Sequence, residues 1–425
     1  MSNNLKYSEQ KLNLLKTSFL SFIATAVKLL AGLVINKAVS LYIGPSGIAL
    51  IGQLQSGSLL AITFAQGGIK SGITKYTAEY GKESNKIPEL WSTAAKITLI
   101  CSSVVGVFLL IFSSSISGYI LKSDQYGYVF QVFGFTLVFF TLNQMLLSIL
   151  NGLKEIRTFI SINISQSIYS LVFTTVLIYF LGLNGALLAM VTNQSIIFIT
   201  VVYRLRDHRV ITFDKFKLPI NRDHCKNLLN YSSMALTSAC VVPISQLLIR
   251  NYLGDKLSWS DAGYWQSMWY ISSMYLMVVT TALATYYLPR LSEIKSKIDL
   301  RREIRNGYII IIPIIIIISL LIYISREFIV WFLFTDEFRP MLVLFKWQLI
   351  GDVIKISSLL LSYIMLAKTM TKAFIFTEII SSVIFVLLSF NFIDYYGLVG
   401  ISYSYAASYT IYLLLMLAVT RNKVF

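Results

Sequence analysis

Charged residues are scarce in this sequence of 425 residues: they make up 13% of it, whereas soluble domains carry about 25%. Hydrophobic residues make up 56%, and the mean hydropathy is +0.70. Runs of about 20 apolar residues are long enough to cross a bilayer. The composition therefore excludes a soluble enzyme and a disordered protein, and it predicts an all-α polytopic membrane protein.

Cysteine is also rare, and its three residues are widely separated. Cys101, Cys225 and Cys240 form no C-x-x-C pair, which argues against a disulfide framework and a cysteine-bound metal site. The sequence also lacks a G-x-x-x-x-G-K-[ST] phosphate loop, a nucleophile motif and a metal-ligand spacing. We therefore expect no metal site, no cofactor and no catalytic residues.

Apolar runs bounded by charged residues and by glycine or proline predict twelve transmembrane helices. The segment Gly44-Pro45-Ser46-Gly47, for example, separates the first two, and Pro340 precedes the tenth. The predicted helices lie near residues 15–40, 47–79, 91–117, 128–151, 158–181, 183–203, 227–253, 263–289, 307–324, 341–367, 373–393 and 397–419.

Lysine and arginine are distributed unevenly between the predicted loops. Most of the 36 Lys and Arg residues fall on the side that holds both termini. Because cytoplasmic loops collect positive charge, both termini are predicted to be cytoplasmic. The basic loops at 204–226 and 290–305 are interpreted as topology determinants and contacts to anionic lipids, and we expect no nucleic acid as a partner.

An internal repeat has an offset of about half the chain. Residues 182–186 (GLNGA) open the sixth predicted helix, and residues 397–401 (GLVGI) open the twelfth, 215 residues later. Lys37 and Arg250 are equivalent at a similar offset. The repeat predicts two parallel six-helix lobes around a central cavity, as in alternating-access transporters. The N-terminal lobe is predicted at residues 1–203, a basic cytoplasmic linker at 204–226 and the C-terminal lobe at 227–425.

Eight cations fall inside the predicted helices, against three acids. A charge at the centre of a bilayer costs about 2.5–3.5 kcal/mol, so the surplus cations are expected to face a wet cavity or an anion. Lysines near helix ends can instead extend to the headgroups, which is the simpler interpretation of Lys75, Lys96 and Lys346. Lys28, Lys37, Lys70, Arg250 and Lys355 remain as candidate binding residues.

The acids suggest a second role. Asp352 and Lys355 are spaced i, i+3 on one helix, which places both on one face. This pair either joins helices as a neutral unit or opens when substrate takes the lysine or a proton takes the aspartate. Glu378 either caps a helix dipole or contacts a partner cation.

Polar and aromatic side chains interrupt several of the apolar runs. They serve either as hydrogen bonds between helices or as contacts to a hydroxyl-rich cargo. The pair Trp265 and Trp269, spaced i, i+4, indicates either a headgroup belt or a platform for sugar stacking. The amide and hydroxyl side chains concerned are Asn143, Gln144, Asn163, Gln166, Thr192, Asn193 and Gln194.

Several stretches are similar to one known family. The sequence resembles the polysaccharide flippases, of the O-antigen and lipid III type, within the multidrug/oligosaccharidyl-lipid/polysaccharide exporter superfamily. The resemblance extends over nearly the whole chain. It is most specific in residues 27–33 (VKLLAGL), 44–47 (GPSG), 72–76 (GITKY), 258–266 (SWSDAGYWQ) and 347–355 (WQLIGDVIK).

This resemblance implies that a multi-pass protein of the bacterial inner membrane moves an undecaprenyl-pyrophosphate-linked oligosaccharide from the cytoplasmic to the periplasmic leaflet. It implies membrane lipids, a proton or a sodium ion and other polysaccharide-assembly proteins as partners, with Asp352 or Glu378 as the coupling residue. Lys70 and Lys96 depart from the lipid III relative. The residues that match the family in type are Lys28, Lys37, Lys75, Arg250, Asp352, Lys355 and Glu378.

Two other functions are weighed against this one. A cation-coupled multidrug exporter of the same superfamily would favour acids in its cavity, whereas this chain has an excess of intramembrane cations. A membrane glycosyltransferase or polysaccharide polymerase would need catalytic groups on a large outer loop, and the predicted outer loops are short. Both alternatives are therefore disfavoured, and the chain is predicted not to be an enzyme.

Overall fold

The computed structural model describes residue 23 and residues 25–81, 84–206, 208–368 and 370–424. The regular elements in these residues are all helical, and no strand occurs among them. The predicted all-α class is therefore confirmed. In chain order the α-helices are α1 Thr25–Tyr42, α2 Gly44–Ala65, α3 Lys70–Tyr80, α4 Lys86–Ile111, α5 Ser113–Ile120, α6 Gly127–Gly152, α7 Ile156–Leu205, α8 Arg222–Lys256, α9 Trp259–Ala282, α10 Leu288–Glu293, α11 Lys297–Ile324, α12 Arg326–Leu333, α13 Phe345–Ala367, α14 Thr371–Tyr396 and α15 Leu398–Val424.

Within the described residues, nine helical segments are long and apolar enough to cross a membrane, as expected for a multi-pass protein. The 50-residue helix α7 contains the two predicted spans 158–181 and 183–203, which meet at Gly182. Helix α8 covers the predicted span near 227–253 and α9 most of the span near 263–289, but both fall outside these nine. The count of twelve spans therefore stays a prediction.

The predicted helix near 47–79 is interrupted at a glycine pair. Gly67 and Gly68 have φ values of 58° and 66°, a region of backbone conformation that favours glycine. Helix α2 ends at Ala65, and α3 begins at Lys70. Lys70 therefore lies in the first turn of a new helix, whereas the sequence predicted one helix over 47–79 that contains Lys70.

The repeated G-L-x-G pattern has a physical explanation. Its first glycines, Gly182 and Gly397, have φ values of 55° and 61° and reverse the direction of the chain between two helical segments. A Cβ atom at Gly185 would lie 1.9 Å from a backbone carbonyl oxygen of the preceding segment, and one at Gly400 would lie 2.0 Å from such an oxygen. Both glycines of the pattern are therefore required, the first for conformation and the second for close packing.

The chain forms two compact units. The first contains the residues up to Tyr42 together with Gly57–Leu236, and the second contains Ile43–Ser56 together with Thr237–Phe425. The beginning of α2 is thus grouped with α9, where a Cβ atom at Gly263 would lie 1.9 Å from the carbonyl oxygen of Pro45. The lobe limits predicted from the sequence remain a prediction.

Each unit interrupts its helices at corresponding places. In the first unit, α4 gives way to α5 at Phe112, and in the second unit α11 gives way to α12 at Ser325. The turn between α2 and α3 likewise has a counterpart in a π-helical stretch, Leu283–Tyr287, between α9 and α10. These interruptions extend the sequence repeat to the architecture within each unit.

Part of the predicted linker is folded against the first unit. We call residues 208–221 the strap. The Lys96 ammonium donates to the Leu218 carbonyl oxygen at 2.8 Å, and the Asn221 amide N–H donates to Thr93 Oγ1 at 3.0 Å. Lys96 thus fastens the strap to α4.

Aromatic packing also holds the strap. The Phe216 ring stacks on Trp91 with a centroid separation of 5.9 Å, and Trp91 is fully buried. Ile211, which is 6% exposed, belongs to the same core cluster of buried residues. The strap is therefore an integral part of the first unit's hydrophobic core.

Candidate functional site

A polar cavity of about 610 Å³ lies within the first unit, and we call it the first cavity. Its wall comes from α1, α3, α6 and both arms of α7, and none of its described lining residues is acidic. Lys28 and Lys70 give it two positive charges. Its polar lining residues are Lys28, Lys70, Thr74, Gln144, Ser148, Asn151, Asn163, Gln166, Ser167, Ser170, Asn193 and Gln194.

The two lysines of the first cavity are positioned differently. Lys70 Nζ donates to Gln144 Oε1 at 3.0 Å, and Gln144 in turn donates through Nε2 to Gln194 Oε1. Lys28 is exposed on α1 and lines the same cavity. The Gln144 oxygen accepts one of the three N–H donors that an ammonium group carries, so the others are left for an anionic ligand.

The amides on α6 and α7 bond to one another as well as lining the cavity. Asn193 donates to Ser170 Oγ, and Gln166 Nε2 donates to the buried Asn143 Oδ1 at 3.4 Å. The two uses considered for these side chains are therefore compatible. Side-chain hydrogen bonds hold the amides in place. The donors and acceptors that these bonds leave over are available to a ligand in the cavity.

A smaller cavity of about 210 Å³, the second cavity, lies within the second unit. Its lining combines one lysine, one carboxylate, four aromatic side chains and several serines. The polar and aromatic members are Ser245, Gln246, Trp269, Lys355, Ser358, Glu378, Ser381, Ser382, Phe385, Ser408, Tyr409 and Tyr412.

Lys355 is held by aromatic rings in the second cavity. Its Nζ lies 5.3 Å from the ring centre of Trp269, 5.4 Å from that of Tyr409 and 6.0 Å from that of Tyr405. These distances are within the range of cation–π attraction. Glu378 lines the same cavity, and its Oε1 accepts a hydrogen bond from Tyr412 Oη at 2.6 Å.

Asp352 is fully buried beside the second cavity. Its carboxylate accepts hydrogen bonds of 2.7 Å from each of three hydroxyls, those of Ser272, Tyr275 and Tyr405. Asp352 and Lys355 thus turn to different partners on the same helix, α13. Tyr405 contacts both, because its hydroxyl donates to the aspartate while its ring faces the lysine.

Arg250 is buried in the second unit, with 1% of its surface exposed. It donates to Gln53 Oε1 at 2.8 Å and to Gln266 Oε1 at 2.6 Å, and its guanidinium lies 5.7 Å from the ring centre of Trp265. These partners are neutral. Lys37, the equivalent of Arg250, is half-buried, and neither residue is among those that line the two cavities.

The remaining intramembrane lysines are Lys75, Lys96 and Lys346. Lys75 and Lys346 are exposed beside the rings of Tyr76 and Trp347, and their extension to headgroups stays a prediction. Lys96 holds the strap, as described above. None of these three lines the first or the second cavity.

Sequence analysis missed the tyrosines of α15. Tyr405, Tyr409 and Tyr412 are spaced i, i+4 and i+7, which places them on one helix face, and this spacing was available as a signal. The tryptophan pair is also clarified: Trp265 is 1% exposed beneath Arg250, and Trp269 lines the second cavity. Neither is placed as a headgroup belt residue.

The two cavities are built from equivalent positions of the repeat. Asn163 and Glu378 are 215 residues apart, and each lines the cavity of its own unit. The other lining pairs at this offset are Gln144 with Leu359, Gln166 with Ser381, Ser167 with Ser382, Ser170 with Phe385, Asn193 with Ser408, Gln194 with Tyr409 and Ile197 with Tyr412. Equivalent positions of the repeat thus form an amide-rich cationic cavity in one unit and an aromatic cavity with a carboxylate in the other.

Sequence comparisons find one protein family and curated relatives that are similar to this chain. The profile of a family described as polysaccharide biosynthesis proteins matches residues 14–295. The lipid III flippase of Escherichia coli (strain K12) is 25% identical over 406 residues, which cover 94% of this chain and 96% of that protein.

Solved structures show the same fold. An inward-facing transporter of the multidrug resistance MATE family, in the MOP superfamily, has a TM-score of 0.76 at 15% identity and covers 93% of this chain and 95% of its own. The lipid II flippase MurJ, in an inward closed conformation, has a TM-score of 0.73 at 16% identity and covers 96% and 87%. These findings confirm the predicted membrane transporter fold and the prediction that the chain is not an enzyme.

Proposed function

We propose that this chain, which belongs to the polysaccharide biosynthesis protein family, moves an undecaprenyl-pyrophosphate-linked oligosaccharide across the bacterial inner membrane. Transport would run from the cytoplasmic to the periplasmic leaflet by alternating access. The observation that carries this proposal is the first cavity, where Lys28 and Lys70 stand among amides and hydroxyls with no acid in the described lining. This wall suits a cargo that is both anionic and rich in hydroxyl groups.

The charges of the first cavity match a pyrophosphate. A pyrophosphate cannot cross hydrocarbon without groups that replace its hydration, and ammonium groups bind phosphate oxygens through charge-assisted hydrogen bonds. Lys28 and Lys70 supply such groups. Asn163, Gln166 and Asn193 carry donors and acceptors of the kind that sugar hydroxyls require.

Lys355 is proposed as a third contact to anionic groups of the cargo, from the second cavity. Lys37 and Arg250 lie outside the two cavities, so their proposed part in binding requires another conformation of the transport cycle. In that conformation an anionic group would replace Gln53 and Gln266 as the partner of the Arg250 guanidinium. A fixed positive charge with neutral partners is suited to such an exchange.

Coupling to a proton or a sodium ion is proposed for Asp352 and Glu378. Both are carboxylates of the second unit that accept hydrogen bonds from hydroxyl groups, and among the described residues neither forms an ion pair with a basic side chain. Lys355 lies near both. A cation that binds either carboxylate would change the electrostatic environment of Lys355. The second unit would thus link ion binding to the release of an anionic cargo.

The proposed orientation follows from the distribution of basic loops, with both termini in the cytoplasm. Membrane lipids surround the protein, and other polysaccharide-assembly proteins would supply and consume its cargo. The repeat unit of an O-antigen or a related glycan is the proposed oligosaccharide. A cation-coupled multidrug exporter is disfavoured by the two lysines and the absence of acids in the described lining of the first cavity.

Transport in proteoliposomes tests the proposal. We expect the wild-type protein to move a fluorescent polyprenyl-pyrophosphate oligosaccharide between leaflets and not to move the matching neutral polyprenol glycoside. Lys28→Ala should abolish most of this transport, and Lys28→Arg should retain it because the charge is kept. Lys86→Ala, which removes an exposed lysine at the start of α4, is the control. Full transport by Lys28→Ala at normal expression would remove Lys28 from the mechanism.

A further inference from the structure

Lys355 lies in a cage of aromatic side chains in the second unit. Three rings, those of Trp269, Tyr405 and Tyr409, lie 5.3 to 6.0 Å from Nζ. Such multi-ring cages are the arrangement by which proteins bind organic cations, especially quaternary ammonium groups. In this chain the lysine is itself the cation within the cage.

Two carboxylates add to the affinity of this cage for positive charge. Glu378 lines the second cavity together with Lys355. Asp352 is connected to the cage through Tyr405, whose hydroxyl donates to Asp352 Oδ1 at 2.7 Å. A tyrosine that donates to a carboxylate is polarised towards a more electron-rich ring. Without Lys355 the second cavity would present the rings of Trp269 and Tyr409 and the carboxylate of Glu378, with the buried ring of Tyr405 and the carboxylate of Asp352 behind them.

We infer that Lys355 is a specificity-determining residue, which acts as a built-in ligand and excludes organic cations from the cage of the second cavity. The ligand class excluded is a small quaternary ammonium ion, which matches the rings, the carboxylates and a cavity of about 210 Å³. The inference concerns binding by this cage, and it does not depend on which cargo the protein transports.

The positive charge of Lys355 excludes such a ligand in two ways. It fills the space between the rings, and it repels a second cation at short distance. Removing the lysine is therefore expected to convert the second cavity into an organic-cation site. The serines in the wall do not oppose this change, because they are neutral and accept hydrogen bonds.

The test measures choline binding to the purified full-length protein in a maltoside detergent, by isothermal titration calorimetry. Lys355→Ala should bind choline at least about tenfold more tightly than the wild-type protein, as expected for a desolvated cation–π cage. Lys355→Gln, which keeps most of the side-chain length, should show a smaller gain and carries the test if Lys355→Ala does not fold. Lys346→Ala removes a lysine 5.8 Å from the ring of Trp347, outside the second cavity, and should bind choline as the wild type does.

Two further measurements distinguish attraction of the ligand's positive charge from simple filling of the space that the lysine side chain leaves. The neutral analogue 3,3-dimethylbutan-1-ol should gain no affinity in Lys355→Ala, because the rings and carboxylates favour a cation. Adding Glu378→Gln to Lys355→Ala should remove most of the gain for choline. Equal choline affinities of the wild type and both Lys355 variants, or equal gains for choline and its neutral analogue, would overturn the inference.

Discussion

Asn163 and Glu378 stand 215 residues apart in the sequence, and each lines the polar cavity of its own unit. An amide in one unit therefore corresponds to a carboxylate in the other. Because an amide cannot bind a proton near neutral pH and a carboxylate responds to cations, only the second cavity carries an ion-sensitive group at this position. This difference suits a division of roles between cargo binding and ion coupling.

Glu378→Gln should uncouple transport from the driving ion. The substitution keeps an oxygen for the hydrogen bond from Tyr412 and removes the charge. In proteoliposomes, we expect an imposed proton or sodium gradient to accelerate the wild type and to have little effect on Glu378→Gln. Ser381→Ala, one turn further along α14, is the control and should respond as the wild type does. Unchanged stimulation of Glu378→Gln would assign coupling to another group.

Lys70→Ala should weaken binding of the anionic cargo by about tenfold or more, since a hydrogen bond to a charged group contributes about 1.5–3 kcal/mol. Lys70→Arg should recover most of the affinity. The measurement is binding of a short-chain polyprenyl-pyrophosphate sugar at two salt concentrations, because the loss of one ionic contact also reduces the salt dependence. If Lys70→Ala and the wild type bind equally, the first cavity does not hold the pyrophosphate.

Gly185→Ala and Gly400→Ala should both destabilise the protein. Each new Cβ atom would lie 1.9 Å or 2.0 Å from a backbone carbonyl oxygen, so the helices must separate, at a cost of about 1–3 kcal/mol. Thermal unfolding in detergent checks this prediction. Val399→Ala, next to Gly400 and half-buried, should have a smaller effect. Similar melting temperatures for Gly400→Ala and Val399→Ala would contradict it.

Arg250→Lys should destabilise the protein although the substitution retains the positive charge. An ammonium cannot reach Gln53 and Gln266 in the fixed geometry of the guanidinium fork, so one buried amide oxygen loses its donor, at a cost of about 1–3 kcal/mol. The thermal stability of the variant should therefore fall below that of the wild type. Arg250→Lys with normal stability would show that the amides find other donors.

Some of the site was predictable from the sequence because charges within apolar runs must find polar surroundings. This argument selected Lys28 and Lys70, and the structure brings them together on one cavity. The offset of 215 residues likewise anticipated the equivalent glycines Gly182 and Gly397, since both have positive φ. Local signals were sufficient in these cases.

Other features depended on which helices are neighbours, and hydropathy does not specify this. The spacing of Asp352 and Lys355 suggested a direct ion pair. In the structure, tyrosines of α15 contact both side chains: the Tyr405 hydroxyl donates to Asp352, and the Tyr405 and Tyr409 rings lie beside Lys355. Arg250 was expected in a cavity, and it is instead enclosed by amides of α2 and α9. Tertiary packing decided these contacts.

The strap also determines where the polypeptide tolerates a break. Leu218 and Asn221 are hydrogen-bonded to α4, and Phe216 stacks on Trp91. A break in the chain before residue 208 would therefore separate the strap from the first fragment and leave part of the first unit's hydrophobic core uncovered. A gene split for co-expression of two fragments should therefore be placed after the strap. The first fragment would then keep the covering of Trp91, and it would not expose an aromatic surface that promotes aggregation.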